Sequence, residues 1–133
     1  MTGLGTVADW MTHEPVAVAE ETPVSRVLQL MGAQQIRHVL VMQGERLAGI
    51  FSSRDVRRLL TGAAGAVPAE VAVAALMTEN PVTVSPRAPL LEAGREILDR
   101  KIGALPVTDD GRPVGILTRQ DALEALLAWA ERA

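Results

Sequence analysis

Apolar positions along this 133-residue chain form short alternating runs and longer three-and-four-spaced stripes that follow one another in a fixed order. Val16 and Val18 alternate with small residues, which predicts a short strand. Val24, Val27, Leu28 and Met31 recur at helical spacing and predict a helix with one buried stripe. Thr22 before Pro23 predicts an N-cap followed by proline at the first helical position. Val39–Met42 and Leu47–Phe51 are β-rich runs on either side of a Gly44-containing turn at 43–46, the pattern of a hairpin. Ser52 or Ser53 then caps a helix that turns Val56, Leu59 and Leu60 inward. The second half obeys the same grammar: strand Val82–Val84, helix from Pro89 to about Arg100, strand Leu105–Thr108, an Asp110-Gly111 turn, strand Val114–Leu117 and a final helix to about Glu131. Each half therefore reads β-α-β-β-α, preceded by a short helix ending near Met11 or Met77.

The halves are copies at a constant offset of 66 residues, the step from Gly49 to Gly115. Met11-Thr12 matches Met77-Thr78, Pro15-Val16 matches Pro81-Val82, Pro23 matches Pro89, Ile36 matches Ile102, and Gly49-Ile50 and Asp55 match Gly115-Ile116 and Asp121. No gap is needed. The expected organisation is one module over 1–133, with a first repeat at 7–60, a linker at 61–68 (TGAAGAVP) and a second repeat at 69–128. The joining stretch is rich in Gly and Ala and uncharged, as a connector would be.

Composition narrows the function classes. At 48% hydrophobic and 22% charged, the chain is globular and long enough for a filled core. A net charge of −3 argues against a general nucleic-acid or membrane-surface binder. The absence of Cys excludes disulfides, thiolate catalysis and cysteine-ligated metals. The start lacks a basic n-region and an apolar h-region, and no apolar run reaches membrane-spanning length, so a soluble cytoplasmic protein is expected. No nucleophile-base pair, P-loop or paired acid-base carboxylates stand out, and His13 and Glu14 have no companion at metal-ligand spacing; a non-enzyme without a metal is expected.

Three motifs recur in order in both halves: M-T-x-x-P-V-x-V at Met11–Val18 and Met77–Val84, I-x-x-x-x-V at Ile36–Val41 and Ile102–Val107, and G-I-[FL]-[ST]-x-x-D at Gly49–Asp55 and Gly115–Asp121. In these motifs the chain resembles a tandem pair of CBS (cystathionine-β-synthase) domains, a Bateman module. The resemblance implies an α/β (α+β) fold of two β-α-β-β-α repeats packed sheet to sheet about a pseudo-twofold axis. It also implies a regulatory role, with clefts that in many relatives take AMP, ADP, ATP or S-adenosylmethionine, and relay to an unknown regulated protein. An ionised Asp accepts hydrogen bonds from both ribose hydroxyls, and a Ser or Thr at a helix N-terminus suits a phosphate. Carried over by motif, Thr118, Arg119 and Asp121 form one site facing Arg37 and His38; Ser52, Arg54 and Asp55 form the other, facing Gly103 and Ala104. The adenine walls are Thr12, Val16, Val18, Thr78, Val82, Thr83 and Val84, with Ala17 standing where the second repeat has Thr83. The Asp121 cleft, with its basic pair, is the expected phosphate-bearing site; the Asp55 cleft takes an uncharged nucleoside, uses Arg54 for phosphate or stays empty.

Plainer readings of the same residues stay open. Asp55 and Asp121 fit the first turns of their helices, where the macrodipole contributes about 0.3–1 kcal/mol. Arg54, Arg57 and Arg58 fit a solvated helix face, His38 a strand edge, and the methionines core gaps. Leu90, Leu91, Leu98, Leu123, Leu126 and Leu127 exceed what one small sheet needs and, with the resemblance, predict a homodimer through the helices. Besides the adenosine sensor, two functions remain open. One is a ligand-free dimerisation and protein-interaction module. The other is binding of another anionic ligand or single-stranded nucleic acid, which the negative net charge disfavours.

Overall fold

The structure, a computed structural model, describes residues 3–60 and 70–132; the linker expected at 61–68 lies outside the described residues. In chain order the elements are α1 (Val7–Trp10), β1 (Thr12–His13), β2 (Ala17–Ala19), α2 (Val24–Gln34), β3 (His38–Gln43), β4 (Arg46–Ser52) and α3 (Ser53–Leu60). A 3-10 turn at Val73–Ala75 follows, then β5 (Thr78–Glu79), α4 (Leu90–Arg100), β6 (Ala104–Asp109), β7 (Arg112–Thr118) and α5 (Arg119–Arg132). They divide into two compact units, one of Met1–Pro15 with Val82–Ala133 and the other of Val16–Pro81.

Each unit is a small mixed α+β body with one sheet. In the Val16–Pro81 unit the strand order is β2-β3-β4-β5, parallel between β2 and β3 and antiparallel elsewhere. In the other unit β1-β7-β6 run antiparallel. The two hairpins repeat each other down to a shift in register, at Val41/Met42 in one and Val107/Thr108 in the other. Asp110 and Gly111 both take positive φ, 52° and 79°, as a two-residue type I′ hairpin turn requires.

Two elements differ from the sequence expectation. The strand predicted at Val82–Val84 is reduced to one parallel bridge, Val84 with Val107. In the first repeat Leu40 N–H donates to the Val16 carbonyl at 3.0 Å. Its equivalent is Pro106, which has no N–H to give, so the ladder loses a rung. The long helices also start one residue later than predicted, with Pro23 and Pro89 as extended N-caps rather than first helical residues. Thr22 is not the cap. Val24 N–H instead donates to the Val71 carbonyl and Leu90 N–H to the Gly5 carbonyl, both at about 2.8–2.9 Å. These bonds satisfy an orphan donor that a cap side chain would otherwise take.

The defining contact of each unit is an edge strand laid against a glycine. β1 pairs Thr12 with Ile116 and His13 with Gly115; β5 pairs Thr78 with Ile50 and Glu79 with Gly49. A Cβ on Gly115 would lie 2.6 Å from Met11 Sδ and 2.9 Å from the Thr12 carbonyl oxygen. On Gly49 the corresponding distances are 2.5 Å to Met77 Sδ and 2.6 Å to the Thr78 carbonyl. The space denied to a side chain is what lets the methionines inward. Met11 joins Val7, Ala93, Ile97, Leu105, Val107 and Leu117 in one core, and Met77 packs on Val24, Val27, Phe51 and Val73 in the other. Leu90, expected on the surplus apolar face, is instead buried in the first of these cores.

Gly115→Ala and Gly49→Ala are each expected to destabilise the protein by about 1–3 kcal/mol, since backbone as well as methionine must move. Urea denaturation followed by circular dichroism checks this; an unchanged midpoint for both would show the close approach to be unimportant. In the same assay Leu117→Ala, which empties a fully buried site, is expected to cost about 2–5 kcal/mol.

Candidate functional site

The two Asp motifs form strand-to-helix corners. β7 ends at Thr118, α5 begins at Arg119, and Asp121 is its third residue. Thr118 N–H donates to Asp121 Oδ2 at 2.9 Å, and Asp121 N–H donates to Thr118 Oγ1 at 3.1 Å. The pair is a reciprocal capping box, satisfying two donors at the strand-to-helix junction. Thr12, on the adjoining β1, directs its hydroxyl at the same Oδ2 from 3.4 Å, a long and weak contact. Among the described residues Asp121 Oδ1 accepts no hydrogen bond, and the residue is half-buried.

The other corner is drawn tighter. Ser52 gives both its N–H, at 2.9 Å, and its hydroxyl, at 3.2 Å, to Asp55 Oδ2. Thr78 donates its hydroxyl to Oδ1 at 3.3 Å, and Arg58 Nη1 stands 3.8 Å from the same oxygen. Asp55 is 5% exposed, the one buried charged side chain among the described residues. Both its oxygens are therefore engaged within the unit. At Asp121 capping occupies one oxygen and leaves the other available, so the structural and ligand-binding readings of this residue use different atoms.

Thr12, Thr118 and Asp121 are thus gathered in one unit, and Ser52, Asp55 and Thr78 in the other. The other residues singled out by sequence are placed as follows. Arg119 is exposed, and its Nε donates to the Ile102 carbonyl at 3.1 Å, tying the side chain toward the end of α4. Arg54 is exposed on α3. Arg37 is exposed, its carbonyl accepting from Ser53 N–H at 3.0 Å, and half-buried His38 pairs with Ser52 across β3 and β4. Both lie in the unit that holds Asp55. Val16 and Val18 pack on that unit's core. Thr83 is exposed and lines a cavity of about 270 Å³ with Val82, Ser85, Glu92 and Glu96. The carboxylates there oppose a phosphate.

Sequence reasoning gave Thr12 and Thr78 to the adenine and missed that their hydroxyls reach the Asp of the opposite repeat. The available signal was the presence of one M-T-x-x-P-V-x-V for each G-I-[FL]-[ST]-x-x-D, in both halves.

With this geometry established, the chain compares as follows with known proteins. The CBS domain matches residues 7–62 and 73–128. A CBS domain-containing protein of Dictyostelium discoideum is 29% identical over 137 residues, covering 94% of this chain and 93% of that one. The homoserine O-acetyltransferase of Methanocorpusculum labreanum is 31% identical over 118 residues, but this chain spans only 23% of its length. Of solved structures, CBSX2 in complex with AMP superposes with a TM-score of 0.78 at 30% identity, covering 93% of this chain and 97% of that one. A putative acetoin utilization protein (AcuB) of Vibrio cholerae superposes with a TM-score of 0.79 at 29% identity, covering 96% of each. With both repeats matched, and the glycine, threonine and aspartate of each repeated motif accounted for in its unit, the chain belongs to the CBS-domain family as a tandem pair.

Proposed function

We propose that this CBS pair is a non-catalytic regulatory module that senses an adenosine ligand, of the AMP, ADP, ATP or S-adenosylmethionine type, and relays its presence to a partner protein. The ribose is taken by Asp121 at the Thr118 corner. The observation that carries this reading is the open Oδ1 of Asp121, set against Asp55, whose two oxygens are both engaged. An ionised Asp offers acceptors only, and an oxygen with no protein donor keeps both of its lone pairs for ribose hydroxyls. The structure of the relative in complex with AMP supports the ligand class. The ligand can bias a partner only by as much as its affinity differs between the module's states.

The chain also pairs with a second copy, a reading supported by the exposed leucines of α4 and α5. Light scattering at micromolar concentration is expected to give twice the 14.2 kDa chain mass; a monomer would overturn it.

Calorimetric titration of AMP, ADP, ATP and S-adenosylmethionine tests the site. Asp121→Asn, which keeps an oxygen for the cap, is expected to weaken binding at least about tenfold, roughly 1.4 kcal/mol, and Asp55→Asn far less. Equal losses, or loss from Asp55→Asn alone, overturn the ranking. A ligand at a hundred times its dissociation constant adds about 2.7 kcal/mol of stability, so a melting temperature unmoved by all four rejects the sensor reading.

A further inference from the structure

The charges of residues 16–81 balance, six basic against six acidic, yet they are sorted by element. Among the described residues, every exposed charged side chain on α2 and α3 is an arginine: Arg26 on α2, and Arg54, Arg57 and Arg58 on α3. The one acid of these helices, Asp55, is buried in its corner. The exposed acids lie elsewhere: Glu21 in the turn before α2, Glu45 in the hairpin turn, Glu70 ahead of the 3-10 turn and Glu79 on β5. Both helices cover one core, through Val24, Val27 and Met31 on α2 and Val56 and Leu59 on α3. Arg54, Arg57 and Arg58, spaced three and four apart, form one stripe of α3 on the side away from Val56 and Leu59.

The fold does not require this pattern. Arg57 and Arg58 stand in the last turn of α3, where the helix dipole favours a cation, and Arg58 lies 3.8 Å from Asp55 Oδ1. Arg26 and Arg54 stand in first turns, where the same dipole opposes one. At the 66-residue offset, Arg26, Arg54, Arg57 and Arg58 correspond to Glu92, Gln120, Leu123 and Glu124. The same helices are thus built in the second repeat without an arginine at any of these places. Arg26 and Arg54 are held against the dipole on helices with no exposed acid, a setting that carboxylates from another molecule complete.

We propose that the outer face of α2 and α3 docks an acidic segment of the regulated protein, its Asp or Glu carboxylates meeting the arginine guanidiniums. This docking rests on the relay reading and adds the face on which the partner is met and the chemistry that recognises it. A short protein segment fits this face better than a broad polyanion. A nucleic-acid duplex or an anionic bilayer laid over it would reach the acids at the turns and on β5, and the whole chain carries a net charge of −3. A segment that follows the two helices meets arginine alone.

Binding of fluorescein-labelled hexaglutamate to the full chain, followed by anisotropy, tests the face, with labelled oligo(dT) and phosphatidylserine vesicles as comparators. Hexaglutamate is expected to bind, and to weaken as salt is raised. Arg26→Glu combined with Arg54→Gln, which writes in the second repeat's residues, is expected to raise its dissociation constant at least about tenfold. The melting temperature of that variant is expected to hold or rise, since both changes relieve a helix dipole. Arg95→Gln on α4 is expected to leave hexaglutamate binding unchanged. Absence of hexaglutamate binding, an equal loss from Arg95→Gln, or tighter binding of oligo(dT) or vesicles through the same arginines overturns the docking of an acidic segment. A melting temperature that falls in the double variant overturns it too, by assigning these arginines to the fold. Calorimetric titration of AMP into the wild-type chain keeps the two readings apart: AMP that binds where hexaglutamate does not leaves the sensor standing and removes only this face.

Discussion

The approach of a two-residue edge strand onto a glycine organises each unit of this protein. Thr12 and Thr78 bring their carbonyl oxygens within 2.9 and 2.6 Å of the positions a Cβ would occupy on Gly115 and Gly49. Only a residue without a side chain tolerates that distance. From this follow the edge of each sheet, the entry of Met11 and Met77 toward the cores, and the arrival of a threonine hydroxyl beside an aspartate. It also explains why the compact unit is not the sequence repeat. The segment that completes the second repeat's sheet comes from the start of the first repeat, and the segment that completes the first repeat's sheet comes from the start of the second.

The aspartate corners show how one side chain serves fold and ligand together. A carboxylate in the first turn of a helix is already favoured by the helix dipole and by the cap it forms. Capping uses a single oxygen, so a corner built for stability carries a spare acceptor by construction. Burial decides whether the spare survives. At Asp55 a second hydroxyl and an arginine approach it, whereas at Asp121 the only hydroxyl from β1 turns to the oxygen already in use. Two motifs that read alike in sequence thereby acquire different chemistry.

Asymmetry extends to the helices. The repeats share their buried stripes, Val24, Val27 and Met31 in one and Leu90, Ala93 and Ile97 in the other, because each must cover a similar sheet. Their outer faces are under no such constraint. Among the described residues, the first repeat's helices expose one large apolar side chain, Leu28, whereas the second repeat's expose five leucines and Trp129.

Much of this was legible in the residues alone. Periodicity located both hairpins and all four principal helices, since apolar spacing reports which side of an element is buried. The 66-residue offset exposed the duplication, and the doubled motifs pointed to the family. What sequence could not decide was where long-range partners end up. The shortfall at Val82–Val84 came from a missing amide on Pro106 in a neighbouring strand, and the displaced caps from backbone carbonyls at Val71 and Gly5. Leu90 and Leu91 are adjacent and chemically identical, yet one is core and the other exposed. The sequence by itself determined the two copies, their elements and the aspartate at each corner, because these rest on local spacing. Only the tertiary structure decided which threonine meets which aspartate and which carboxylate oxygen stays open, because those depend on residues 23 and 109 positions apart being brought together by an edge strand closing onto a glycine.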